Sequence, residues 1–436
     1  MNESVSDTCK GSIEKFEPKI KPLQKKNNKK NIFTKYFLFF NFIVLGFFNH
    51  LGYYLIMANS QQFATKLGNE SLISCYPLAL ILFSSITRVI NSKYCINISY
   101  YIRVLILSVF FFIGYISLFF ILHNSKIKTS KNMAFWLTMI PTTIVGIGES
   151  FGEVTIIGFE GTLKGNYISG WNIGSALAGV SGSFLSLLFK KLNTNLKYVY
   201  LFLTPTSLLY FFIFIFINIF GSKEKKIISK KQFHKMDEEK TTNIIIVDDN
   251  EITNNKTLNI KNFVEGFKSA RKYILNLAFL TFFNYTICYC FCERTNKKKF
   301  INSGGTIFEK IQYETFLMFF EFGVILSNAS LFLITHIKYL EIFTYLQIIN
   351  CIFWFFECLF GFLSNQWICY IHLFFVGMCA GGGNIGFFDE MDKSKKISSR
   401  IKELCKNICE FFKDWGILIS SIMSIIFDNT FMKIKR

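Results

Sequence analysis

Ser150-Phe151-Gly152-Glu153-Val154-Thr155 falls near the end of one apolar run, and Ile168-Ser169-Gly170-Trp171 opens the next. The first stretch sets a carboxylate inside a hydrophobic span. The second begins a helix whose face is rich in glycine and serine. An ionisable group at membrane depth costs roughly 2.5–3.5 kcal/mol on insertion scales, so such a residue is read as functional by default.

The rest of the chain keeps this pattern of long apolar runs and short polar loops. Of its 436 residues 51% are hydrophobic and 18% aromatic, with 54 Phe and only 5 Pro, and the mean hydropathy is +0.35. Soluble globular chains are not composed this way, and runs near twenty residues cross a bilayer as helices. The expected fold class is therefore all-α, a polytopic membrane protein. Spans are expected at 33–57, 71–90, 99–122, 133–157, 168–189 and 198–220, then at 271–292, 311–335, 338–360, 367–388 and 411–432. That makes about eleven transmembrane helices in two halves, the outline of a major-facilitator-superfamily-like carrier. The domains follow: a basic cytosolic tail over 1–32, a six-helix half over 33–220, a cytosolic loop read as disordered over 221–270, and a five-helix half over 271–436. No residue-level internal repeat stands out.

Net charge is +19, and it sits in tails and loops. It therefore reads as topology and attraction to anionic headgroups; no nucleic-acid partner is expected. Lys19, Lys21, Lys25, Lys26, Lys29, Lys30 and Lys35 precede the first span, and Lys223, Lys225, Lys226, Lys230 and Lys231 follow the sixth. Both ends of that half, and the N-terminus, are then cytosolic. Lys297, Lys298 and Lys299, and the tail Lys433, Lys435 and Arg436, fall on the wrong side if the count is eleven. A twelfth span or a re-entrant segment around 398–412 would return the tail to the cytosol. The first 32 residues lack the apolar core of a cleavable signal peptide. Asn69-Glu70-Ser71 is a glycosylation acceptor.

The 12 Cys are scattered. Most read as small buried hydrophobes; Cys288, Cys290 and Cys292 are spread around a helix and make no zinc site. Cys405 and Cys409 share a face near a membrane end, where palmitoylation is one option. Gly381-Gly382-Gly383 lacks the Lys-Ser/Thr of a phosphate-binding loop, and neither GxSxG nor HExxH occurs. No enzyme, cofactor or metal is expected, and uphill transport would need an ion gradient.

Three carboxylates are candidate solute or proton-coupling groups. Glu149 and Glu153 stand four apart, on one helix face. Glu321 lies inside Phe319-Phe320-Glu321-Phe322-Gly323, which would be costly facing lipid, so it should face the bundle interior. Glu314, seven residues earlier, shares its face. Small residues at Gly170, Gly174, Ser175, Ala178, Gly179 and Gly182 permit close helix approach. Gly174 and Gly179, with Gly152 and Trp171, are candidates for packing or gating.

From Ser150 to Thr155, and again twelve residues on at Ile168-Ser169-Gly170-Trp171, the chain resembles the battenin family of lysosomal and vacuolar membrane proteins. The family signature reads close to GLGEVTFLSLTAFYP, followed by a Ser-Trp-Trp step into a Gly-rich helix, and it aligns without gaps. Supporting similarity lies at Leu45-Gly46, Asn49, Tyr53 and Met57, at Phe282, Tyr285 and Ile287, at Gln312-Tyr313, Met318, Gly323-Val324 and Ser327, and at Gly377, Gly381 and Phe388. On this resemblance Asn49, Tyr53, Asn284 and Tyr285 are candidate polar lining of a central cavity. The chain departs from the family where Asn284 replaces an acidic residue, Glu321 a Gln, Asn328 an Arg, and Lys164-Gly165 a Pro-Arg step. The family's C-terminal prenylation-type Cys box is missing. One hypothesis is that the cavity carboxylate has moved from the seventh span to the eighth.

The resemblance implies a carrier in an acidic-organelle membrane, exporting small polar solutes such as glycerophosphodiesters or basic amino acids, with a role in organelle pH. Expected partners are the lipid bilayer and a small polar solute, with protons as an option; the sequence leaves protein partners open. The competing expectations are a non-transporting scaffold that regulates vesicle trafficking and a nucleoside-type carrier.

Overall fold

A computed structural model describes residues 21–95, 98–124, 131–160, 162–163, 167–238, 260–296, 312–330, 339–363, 365–394, 397 and 401–430. Every regular element among them is helical. The first group is α1 (Lys21–Lys66), α2 (Cys75–Ile81), α3 (Ser84–Tyr94), α4 (Tyr100–Asn124), α5 (Lys131–Glu160), α6 (Ile168–Lys191) and α7 (Leu196–Glu238). The second is α8 (Ile260–Thr286), a π-helical turn (Ile287–Phe291), α9 (Cys292–Asn296), α10 (Gln312–Ala329), α11 (Glu341–Phe360), α12 (Gln366–Lys393) and α13 (Lys402–Asn429).

Seven of these helices, α1, α4, α6, α7, α8, α11 and α12, contain stretches long and apolar enough to cross a membrane. The others are informative because of what lowers their hydropathy. The α2–α3 pair carries Arg88, α5 carries Glu149 and Glu153, α10 carries Glu314 and Glu321, and α13 carries Glu410, Lys413 and Asp414. Of these, Arg88, Glu149, Glu314, Glu321, Glu410 and Asp414 are buried. Large apolar side chains such as Phe112, Phe202, Phe212, Ile349 and Ile371 point outward instead. The molecule is apolar on its rim and charged within, as a chain solvated by lipid should be.

The run expected as one span at 71–90 is two short helices that break at Leu82-Phe83. Helix α7 continues to Glu238 and α8 already starts at Ile260. The connection is thus shorter than the expected 221–270; residues 239–259 lie outside the described residues. Helix α13 is uninterrupted from Lys402, so 402–412 belong to the last span rather than to a re-entrant turn. Among the described residues there is no twelfth span. Residues 398–400, Lys297 to Lys299, Lys164-Gly165 and the tail from Phe431 lie outside the described set. Cys405 and Cys409 are both buried, and the Cys405 thiol meets the Gly266 carbonyl of α8. That packing turns both thiols inward and removes the basis for acylation there.

The two groups of helices repeat one packing plan. Helices α1 and α6 run parallel and in close contact, as α8 and α13 do. Helices α2 and α3 lie on α5, and α10 lies on α12 in the same way. The groups meet where α6 packs on α10 and where α2 and α3 pack on α13. Helix α7, which packs against α4, has no counterpart among the described residues. Glycines set these crossings. Gly46 faces the Trp171 carbonyl, Gly174 faces Ile43 and Phe47, and Gly323 and Gly377 seat α10 on α12.

A Cβ on Gly174 would stand 2.8 Å from the Phe47 amide nitrogen, closer than real side-chain carbons approach backbone. Gly174→Leu is expected to destabilise by at least the 1–3 kcal/mol typical of overpacking, and its thermal unfolding midpoint in detergent should fall clearly. Gly158→Ala meets only Tyr100 at ordinary contact distance, 3.5 Å. Its midpoint should stay close to the unaltered protein's.

Candidate functional site

Between the two groups of helices lies a cavity of about 250 Å³. It reaches the end of α5 at Ile157, the start of α6 at Ile168, the end of α12 at Asp392 and the start of α13 at Lys406. Its mouth is therefore on the side where α1 and α6 begin. The wall includes seven carboxylates, Glu149, Glu153, Glu321, Asp389, Asp392, Glu410 and Asp414, against three permanent cations, Arg88, Lys406 and Lys413.

Most of these charges are paired. Arg88 Nε lies 2.7 Å from Asp414 Oδ2 and Arg88 Nη2 lies 3.3 Å from Oδ1, a two-pronged contact between α3 and α13. The same Nη2 donates to Glu153 Oε2 at 2.7 Å, which brings in α5. Lys413 pairs with Glu410 at 2.9 Å and Lys406 with Asp392 at 2.8 Å. Planar guanidinium suits a site that must hold two carboxylates at fixed angles. On the α1 side, His50 Nε2 lies 3.1 Å from Glu149 Oε1, with Nδ1 2.8 Å from the Gly46 carbonyl. The Trp171 ring stands edge-on to His50 at 5.4 Å.

Glu321 differs. It is 5% exposed, it lines the cavity, and its Oε2 has no hydrogen-bond partner among the described residues. Space for it comes from α6, because a Cβ on Gly179 would lie 2.5 Å from the Glu321 Cδ. Above it, Tyr53 of α1 and Tyr285 of α8 meet hydroxyl to hydroxyl at 3.2 Å, joining the two groups of helices. Asn284 also lines the wall and is held from behind, where its Oδ1 accepts from Gln347 of α11. Tyr285, Cys288 and Tyr289 straddle the π-helical turn at Ile287–Phe291. Such turns widen a helix locally and recur at functional sites.

Glu314 is fully buried and pairs with Lys190 of α6 at 3.0 Å, while Gln62 of α1 donates to it at 3.4 Å. Ser186 of α6 donates to Asn59 of α1 at 2.9 Å. These contacts tie α1, α6 and α10 together away from the mouth.

Glu149, Glu153, Glu321, Tyr53, Asn284, Tyr285 and Trp171 are thus brought to one cavity. Asn49 is not. It is fully buried between α1 and α5, donating to the Glu149 carbonyl at 3.1 Å, and Gly152 makes room for its side chain. The expectation that Asn49 lines the cavity is corrected: it is a strut behind the wall. Gly152, Gly174 and Gly179 lie at close helix approaches. Sequence reasoning did not single out His50, Arg88, Glu410 or Lys413. The signal was available, since ionisable residues inside apolar runs are rare. His50, Glu149 and Glu153 place ligand-type atoms within 4.8 Å of one another, but the Arg88 guanidinium already supplies the cation on Glu153.

Gly179→Ala tests the packing around Glu321. The intruding methyl meets a movable carboxyl rather than backbone, so the fold should hold while the carboxyl is displaced. Solute affinity is expected to fall with little change in unfolding temperature, measured by binding and thermal scans on the same preparation.

The CLN3 protein family matches residues 40–434 of this chain. Battenin from Dictyostelium discoideum is 23% identical over 420 residues, 90% of this chain and 94% of that protein. Among solved structures, a POT family transporter in complex with a thioalcohol-conjugated peptide superposes with a TM-score of 0.58 at 13% identity, covering 91% of each chain. A D-xylose-proton symporter gives a TM-score of 0.58 at 12% identity, over 92% of this chain and 91% of that one. At such identities the likeness carries the fold alone, and that fold is the one shared by these transporters.

Proposed function

This chain belongs to the CLN3 protein family, and from that premise we propose that it is a carrier in the membrane of an acidic organelle, exporting small cationic solutes, basic amino acids foremost, towards the cytosol. The observation that carries the solute class is Glu321: a buried carboxyl facing a cavity, with Oε2 lacking any partner among the described residues. A buried charge without a counter-charge is costly. A solute ammonium or guanidinium arriving there supplies what the protein does not. Glycerophosphodiesters present a phosphate, and each cation on the wall, Arg88, Lys406 and Lys413, already faces a carboxylate. A scaffold has no use for such a cavity.

The mouth lies on the side of the Lys-rich N-terminal segment and of the connection between α7 and α8, which positive charge assigns to the cytosol. The Lys190–Glu314 pair then closes the lumenal end. Protons enter as the coupling ion through the carboxyls of α5 and α13.

The test is counterflow by the full chain in liposomes preloaded with unlabelled lysine. Labelled lysine should enter, arginine should compete, and glycerophosphocholine should not. Exchange of glycerophosphocholine in place of lysine would overturn the solute class. No exchange of either solute by folded protein would favour the scaffold. Removal of 239–259 should leave the flux of a carrier intact.

A further inference from the structure

Glu149 of α5 and Asp414 of α13 are linked by a row of two serine hydroxyls. Ser150 Oγ lies 3.1 Å from Glu149 Oε2, Ser84 Oγ lies 2.5 Å from Ser150 Oγ, and Asp414 Oδ2 lies 2.7 Å from Ser84 Oγ. Both serines are fully buried, behind the cavity wall rather than on it. An ionised carboxylate only accepts, and a hydroxyl donates a single proton. Three hydrogen bonds in a row therefore need three protons, and the two serines bring two. With both carboxyls ionised, one of the three contacts would set oxygen lone pairs face to face. One added proton, on either carboxyl, completes the row.

We propose that Glu149 and Asp414 share one proton through Ser150 and Ser84, and that this relay moves the coupling proton across the seam between the two groups of helices. It rests on the carrier reading above and names the path of its proton. With the proton on Glu149, Oε2–H donates to Ser150, Ser150 to Ser84, and Ser84 to Asp414 Oδ2. Transfer breaks the O–H bonds of Glu149, Ser150 and Ser84. It forms new O–H bonds on Ser150, Ser84 and Asp414. Both hydroxyls are regenerated, and one negative charge passes from Asp414 to Glu149.

The charges around the row decide where the proton rests. On α1, His50 lies 3.1 Å from the other oxygen of Glu149. On α3, Arg88 holds Asp414 and also Glu153 of α5. On α13, Glu410 and Lys413 form their own pair one turn away. Across the cavity stand Glu321 of α10 and the Tyr53 and Tyr285 hydroxyls, with Asp389 and Asp392 of α12 at the mouth. Arg88 holds Asp414 and His50 holds Glu149, so each end of the row has its own basic neighbour and the proton is shared between the two carboxyls. A solute cation in the cavity that Glu149 also lines draws negative charge to that end of the row and sends the proton to Asp414. A protonated Asp414 binds Arg88 less strongly, and that pair is what fastens α13 to α3. Solute arrival at one helix group is thereby transmitted to the contact on which the other is held.

Infrared difference spectra of the purified full chain at neutral pH test the relay without any solute. Subtracting a variant from the unaltered protein cancels the other carboxyls. Ser84→Ala and Ser150→Ala should each shift one protonated-carboxyl band, Ser84→Thr should leave it in place, and the double variant Glu149→Gln/Asp414→Asn should remove it. A band absent from every difference spectrum overturns the relay. In liposomes, Ser84→Ala should lose lysine accumulation driven by a proton gradient yet keep lysine counterflow, which needs no net proton movement. Gradient-driven accumulation by Ser84→Ala equal to that of the unaltered protein also overturns it. Lack of lysine counterflow by the unaltered protein sinks the carrier reading instead and leaves the infrared result to decide the relay.

Discussion

Arg88→Met is expected to lose about 3–5 kcal/mol of stability, the cost of stranding buried charges when one partner of an ion pair is removed. Arg88 is 5% exposed and grips Asp414 with two nitrogens while holding Glu153 with one of them. Methionine fills much of the same space and supplies none of the charge. Among the described residues Asp414, 3% exposed, then keeps the Ser84 hydroxyl alone, and Glu153 loses its ion pair with Arg88. The damage falls on the contact between α3 and α13. Thermal unfolding in detergent should show a large drop in midpoint. The triple variant Arg88→Met/Glu153→Gln/Asp414→Asn removes all three charges together, and most of the midpoint should return. A single variant as stable as the unaltered protein would mean that the ion triad is not what holds this contact.

Glu321→Gln should have the opposite profile. The two side chains are nearly the same size, so packing against Gly179 is kept, and a buried carboxyl whose Oε2 has no partner among the described residues becomes an amide. Stability should hold or rise. Lysine transport should collapse, because removing one member of a desolvated charge pair costs about 2–5 kcal/mol. At about 1.4 kcal/mol per tenfold, that is roughly a thirtyfold loss of affinity at the least. Asn284→Glu restores a carboxyl to the same cavity from α8, and in combination with Glu321→Gln it should recover part of the flux. Strict additivity of the two defects would remove the idea that one carboxyl has moved between helices. So would a Glu321→Gln protein that binds lysine normally.

What could be read from the chain itself was set by its solvent. Hydropathy locates spans well, because backbone in lipid must be helical, and every expected span has a helix or a pair of helices in place. Glu153 and Glu321 stand out for the same reason: a charge in an apolar run has few tolerable positions. Arg88 escaped notice because α3 follows a break and reads as a span end, where a cation is ordinary. Asn49 was misplaced because the family resemblance matches it together with Tyr53, and a match in sequence does not say which side chain reaches the cavity. Spacing does not reveal that Gly152 of α5 leaves a recess into which Asn49 fits while Tyr53 continues to the cavity. The repeated packing plan was invisible residue by residue, since its determinants are close approaches of backbone such as Gly174 on Ile43 and Gly323 on Phe374, not shared side chains.

Binding of lysine and of norleucine, which lacks only the terminal amine, to the purified full chain and to Glu321→Gln tests the central claim most directly. Lysine should bind the unaltered protein far more tightly than norleucine, and the preference should vanish in Glu321→Gln. Equal affinities for the two in the unaltered protein, or an undiminished lysine preference in Glu321→Gln, would contradict a cavity built to receive a cation at Glu321.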